Sequence, residues 1–174
     1  METKKILVVD DEVDVVETIR FPLEMEGFQV LVSYNGEDAL NQARKENPDL
    51  ILLDILLGDQ DGRDICRKVK EDEEMRFIPI IMLTVRSSLQ DKINSLNIGA
   101  DDYLTKPFIN EELLAKVRVM LRIKDLHDEL NREKDKNILL SQALEERYSF
   151  GNILGKNTRM QAIYELISDI SNTD

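Results

Sequence analysis

Three segments of this chain, residues 6–9, 50–53 and 80–83, are apolar at every position (ILVV, LILL and IIML). A strand with one face in water alternates apolar and polar residues. A strand that is apolar throughout must be covered on both faces, as in a parallel sheet flanked by helices. Two further short runs at 30–33 and 102–104 bring the strands to five, the fourth expected to span 78–84. Helical stretches fall between them at about 12–26, 36–46, 61–73 and 88–98. In the second, Ala39, Leu40 and Ala43 share one face. Gly27, Asn47-Pro48 and Gly99 supply the breaks where helices should stop. Strands alternating with helices predict an open doubly wound α/β domain with a five-stranded parallel sheet. Pro22 sits inside the first helical pattern and should bend that helix or open its last turn.

Composition narrows the function classes. With 35 acidic and 23 basic residues the formal charge is −12, which repels a phosphate backbone, so direct DNA contact is not expected. Trp is absent and aromatics are few, which argues against a stacking platform for single strands. No apolar run approaches the length needed to span a bilayer, and the first residues lead straight into a strand, so no membrane contact and a cytoplasmic location are expected. The single cysteine, Cys66, fits a reducing compartment and reads as a half-buried small apolar residue on a helix.

The chemistry gathers where strands end. Asp10 and Asp11 close the first strand, and Asp54 closes the third. If the strand order is 2-1-3-4-5, these two strands flank the switch point, where ligands of open α/β sheets bind, and the three carboxylates converge. Like charges that close are mutually destabilising without a cation, and an oxygen-only ligand set suits Mg²⁺. Thr84 closes the fourth strand with a hydroxyl donor, and Lys106 follows the fifth with a fixed positive charge. Pro107 behind it disfavours a helical conformation at Lys106. A carboxylate nucleophile, a metal ion, a hydroxyl and an ammonium together can stabilise in-line phosphoryl transfer.

Residues from about 4 to 120 resemble the receiver domain of bacterial response regulators. The resemblance rests on VVDDE at 8–12, LLDILLGDQDG at 52–62, MLT at 82–84 and GADDYLTKPF at 99–108. It implies a flavodoxin-like, CheY-like domain with strand order 2-1-3-4-5 and with Asp54 as phosphoacceptor, phosphorylated by a sensor histidine kinase. Asp11, Asp54 and the backbone carbonyl of Leu56 would bind Mg²⁺ directly, and Asp10 would act through water. Thr84, Lys106 and Tyr103 would bind the phosphoryl group and switch, the Tyr103 ring moving inward as Thr84 moves toward the phosphate. Gly58 stands where many members carry proline, which leaves the unfolded chain less constrained there. Leu56 and Arg86 occupy the two positions that tune phosphoryl loss in this family, and their types suggest slow loss.

Beyond Pro107 the character changes: residues 108–150 contain no Gly and no Pro. Ile123, Leu126, Leu130, Asn137, Leu140 and Leu144 fit a and d positions of one heptad register, broken at Glu133. We expect a receiver domain at 1–120 and a linker helix at 111–147. The helix should form a two-stranded coiled coil, so that receiver and linker make a homodimer. Residues 147–174 resemble the opening of the AAA+ domain of NtrC-type, sigma-54-dependent activators, through Phe150, Ile153, Leu154, Gly155, Met160, Ile163 and Ile167. On that resemblance 148–174 is a truncated domain start, and the longer protein is a transcription activator and ATPase. The chain as given is then no enzyme, beyond taking part in its own phosphorylation and dephosphorylation. Other outputs, a cyclase or a kinase adaptor, would leave the first 120 residues unchanged. An aspartate-nucleophile phosphatase would want a second Asp at Leu56, and a flavin module would want a Ser/Thr/Gly-rich loop where Asp10-Asp11-Glu12 stands.

Overall fold

In the computed structural model, which describes residues 3–58, 60–85 and 99–148, the chain runs through β1 (Lys5–Val9), α1 (Val13–Met25), β2 (Gln29–Ser33), α2 (Gly36–Glu46) and β3 (Leu50–Asp54). It continues through a short hairpin of β4 (Leu56–Leu57) and β5 (Gln60–Asp61), then α3 (Gly62–Glu71), β6 (Ile80–Thr84), β7 (Asp102–Thr105) and α4 (Asn110–Tyr148). The five longer strands pair in parallel in the order β2-β1-β3-β6-β7, the predicted doubly wound arrangement.

The continuous apolar runs are explained by two cores, one on each face of the sheet. Leu7, Val9, Ile51, Leu53, Ile80 and Met82 point to the side covered by α2 and α3, with Ala39, Ala43, Ile65 and Val69. Their alternates Ile6, Val8, Leu50, Leu52, Ile81 and Leu83 point to the side of α1 and α4, with Val16, Ile19, Leu113 and Val117. Every residue of β3 and β6 is buried, whereas the edge strands β2 and β7 are only partly covered. Cys66 lies in the first core, fully buried rather than half-buried, and burial pushes its thiol up to about 11.

Local chemistry sets the boundaries. The Asn35 side chain accepts from the Asp38 N–H at 2.9 Å and caps α2, whose first turn carries Glu37 and Asp38. At the other end Asn47 takes φ +44°, its N–H bonds the Ala43 carbonyl, and Pro48 follows. Pro22 opens the last turn of α1, and its carbonyl accepts from the Glu26 N–H at 3.2 Å. The fourth main strand starts at Ile80 rather than at 78, because Ile78 donates to the Met75 carbonyl in a turn and Pro79 has no N–H to offer the ladder. The helix expected at 88–98 lies outside the described residues.

By its contacts the chain divides into two units, Met1–Leu126 and His127–Asp174. In the first, α4 buries Leu113, Val117, Met120 and Leu121 on the sheet and is tied down by three ion pairs. These are Lys116–Asp102, Arg118–Glu26 and Asp125–Lys4, each 2.6 Å. The proposed heptad residues Ile123, Leu126, Leu130, Leu140 and Leu144 are each more than half exposed, and Asn137 is exposed as well. Residues 149–174, with the segment that resembles an AAA+ opening, lie outside the described residues. Among the described residues, no helix is long and apolar enough to cross a membrane.

Candidate functional site

Register places the acidic residues. Val9 of β1 pairs with Leu53 of β3, so the next residue on each strand, Asp10 and Asp54, emerges side by side at the carboxyl edge of the sheet. Carboxylate oxygens from Asp10, Asp11 and Asp54 all lie within 4.8 Å of one another, the predicted convergence. Asp10 is 0 % exposed, Asp54 6 %, and Asp11 faces solvent. The set is oxygen only, three carboxylates against one ammonium, which fits a hard divalent cation.

That ammonium is Lys106, whose Nζ lies 2.6 Å from Asp10 Oδ2 and 3.0 Å from Asp54 Oδ1. Its backbone N–H donates to the Thr84 carbonyl at 2.7 Å, which seats the lysine beside the end of β6. Thr84 itself is buried. The remaining oxygens are also engaged: Asp10 Oδ1 accepts from the Glu12 N–H at 2.9 Å, and Asp54 Oδ2 accepts from the Leu56 N–H at 3.1 Å. The Leu56 side chain is 59 % exposed at the rim. The Lys106–Pro107 peptide is cis, a feature with no signal in the sequence. A cavity of about 400 Å³ opens over Asp54, between Asp11, Leu56, Thr84 and Lys106.

The wall beneath Leu56 was not foreseen. After Asp54 the chain turns through the β4–β5 hairpin, whose register pairs Leu57 with Gln60. Gly58 holds φ +55°, a value that favours glycine and that proline cannot adopt. The Gly62 N–H then returns to the Ile55 carbonyl at 2.7 Å, which brings the start of α3 against the end of β3. Asp61 caps α3 through the Arg63 N–H and also grips the Arg63 guanidinium, which lines the same cavity. Arg63 escaped the sequence reading. The one available clue was its place just after the Asp-Gly step that opens the helix.

Tyr103 is half-buried against the core on the α2–α3 side, with Lys116 Nζ 5.4 Å from its ring centroid, and it does not line the cavity. Ile123 and Leu126, the heptad residues within the first unit, do not line it either.

Burial pushes the Asp54 carboxyl up; the Lys106 charge and hydrogen bond oppose it, and the Asp10 charge adds to it. Burial alone would lower Lys106, but the Asp10 hydrogen bond and the Asp54 charge outweigh it and raise it. A raised folded-state pKa means that folded Asp54 holds its proton to higher pH than unfolded Asp54. Its charged form therefore costs stability above that range, and the cost disappears as pH falls through the raised value. Asp54→Asn should accordingly be more stable than wild type at neutral pH in chelator by roughly 1 kcal/mol, with the gap closing in acid. Urea denaturation at several pH values reads this; a less stable Asn variant at neutral pH would contradict it.

Comparison with known proteins bears on this geometry. Residues 6–118 match the family described as response regulator receiver domain. A two-component response regulator from Clostridium difficile is 37 % identical, with a TM-score of 0.65 over 69 % of this chain and 97 % of that one. The receiver domain of a signal transduction histidine kinase from Syntrophus aciditrophicus is 36 % identical, with a TM-score of 0.64 over 69 % and 91 %. NtrX from Brucella abortus, solved in complex with ADP, is 26 % identical with a TM-score of 0.69 over 75 % of this chain, which spans only 30 % of the NtrX chain.

Proposed function

The chain belongs to the response regulator receiver domain family, and from that membership we propose that Asp54 accepts a phosphoryl group from a sensor histidine kinase. The observation that carries the proposal is the Asp54 carboxylate at the end of a central strand, 3.0 Å from the Lys106 ammonium and beside Asp10 and Asp11, at the floor of an open cavity. One Asp54 oxygen attacks phosphorus. Lys106 is within reach to balance charge on the phosphoryl oxygens, and the Thr84 hydroxyl supplies a neutral donor. Asp11 and Asp54, with the Leu56 backbone carbonyl and Asp10 behind them, would hold Mg²⁺, which offsets charge between carboxylate and phosphoryl group. Thr84 and Tyr103 form the switch pair in this reading, and the chain catalyses nothing beyond its own phosphorylation and dephosphorylation.

For the output, our reading is a cytoplasmic, sigma-54-dependent activator whose ATPase domain follows this segment. The exposed stripe Ile123, Leu126, Leu130, Asn137, Leu140 and Leu144 would pair two copies, and phosphorylation would alter that pairing. The likeness to NtrX supports it. The likeness to a receiver domain of a histidine kinase favours the second reading, a receiver coupled to another output.

Intact-protein mass spectrometry after acetyl phosphate and Mg²⁺, with light scattering, tests the proposal. Wild type should gain one phosphoryl group, Asp54→Ala none, and the assembly state should change with the modification. Labelling without a change in assembly would remove the linker mechanism. No labelling of wild type, alongside a receiver that does label, would remove the phosphoacceptor reading.

A further inference from the structure

Arg63 gives the cavity a second cation, one that the phosphoacceptor chemistry leaves unused. Among the described residues that line the cavity, the cations are Lys106 and Arg63. Lys106 is committed at the floor, in contact with both Asp10 and Asp54. Arg63 is held differently. Its Nε lies 2.9 Å from Asp61 Oδ1 and its Nη2 2.6 Å from Asp61 Oδ2, a two-point clasp that fixes the guanidinium plane on the wall built by α3. Its side chain is 38 % exposed, so it stands toward solvent while Asp54 sits below.

A group leaving phosphorus opposite the attacking Asp54 oxygen departs into that cavity. We propose that Arg63 is a specificity-determining residue that, among small-molecule phosphodonors, favours those whose leaving group is an anion, acyl phosphates above all. The inference rests on Asp54 being the phosphoacceptor. With an acyl phosphate, an Asp54 oxygen forms the new bond to phosphorus. The bond from phosphorus to the acyl oxygen breaks, and its electron pair leaves on a carboxylate anion. With phosphoramidate, protonated at nitrogen, the phosphorus–nitrogen bond breaks and neutral ammonia leaves. A cation in the cavity wall stabilises charge growing on the departing carboxylate and gives ammonia nothing comparable.

The experiment compares phosphorylation rates of wild type, Arg63→Ala and Arg63→Lys with acetyl phosphate and with phosphoramidate across donor concentrations. The backbone N–H that Asp61 caps is retained in both variants, so α3 keeps its start. Arg63→Ala should slow acetyl phosphate roughly fivefold and phosphoramidate less than about twofold, and raising the salt concentration should shrink that difference. Arg63→Lys should recover most of the acetyl phosphate rate. Equal loss with both donors, no loss with either, or no recovery by lysine would overturn the proposal while Asp54 keeps its role. Failure of wild type to label with either donor would remove the phosphoacceptor reading, and this inference with it.

Discussion

Replacing Lys106 with alanine is expected to lower the unfolding free energy by about 3 kcal/mol in chelator, the scale seen when one partner is removed from a buried ion cluster. Two contacts of its Nζ are lost, at 2.6 and 3.0 Å, and two carboxylates with almost no solvent exposure are left side by side without a cation. The sign is the opposite of that for Asp54→Asn, although both changes dismantle the same pair. One removes the charge that burial penalises, and the other removes the charge that compensates for it. Because the Lys106 pKa is raised by folding, its contribution is complete below the ordinary lysine value near 10.4 and is lost as pH rises through the higher folded value. The deficit of the alanine variant should therefore be flat across neutral pH. Mg²⁺ should restore part of it by binding the bared carboxylates. Urea denaturation in chelator measures the effect. A loss under about 1 kcal/mol, or one that Asp54→Asn in the same protein fails to relieve, would show that the cluster is not held by this charge.

Gly62→Ala should be as costly, about 3 kcal/mol, at the upper end for overpacking. A Cβ at Gly62 would overlap the carbonyl oxygen of Asp54 and press on the Ile55 backbone, and backbone cannot rotate away as a side chain can. The displaced segment is the one that closes the Gly62–Ile55 hydrogen bond and carries Asp54, so phosphorylation should fall together with stability. Gly58→Ala is the matched control. Among the described residues its added Cβ would meet Asp11 Oδ2, at 3.8 Å, so its cost is conformational, about 1 kcal/mol for an alanine at positive φ. Comparable losses at both positions would mean that close approach at Gly62 is not what selects glycine there.

The five strands and the carboxylates at their ends could be read from the chain because each rests on a local rule, whereas their order came with the family resemblance. A run apolar at every position requires cover on both faces, and a carboxylate placed directly after such a run must emerge at the sheet edge. The helix end at Asn47-Pro48 follows an equally local backbone preference. Where a neighbouring residue changed the rule, the reading slipped by a short step, as at Pro79, which pushed the start of β6 to Ile80.

What sequence could not supply is contact between distant positions. Lys106 meets Asp10 across 96 intervening steps of chain and shares itself with Asp54. Nothing local to residue 106 says that one ammonium will serve two carboxylates. The β4–β5 hairpin has strands of two residues each, too short for any periodicity to register. That hairpin in turn brings Gly62 onto the Asp54 carbonyl and aims Arg63 at the cavity. Hydrophobic patterning is repeated along the chain and so survives small errors in reading. The donors, charges and clearances of a site depend on single atomic approaches that exist only once the sheet has brought its edges together.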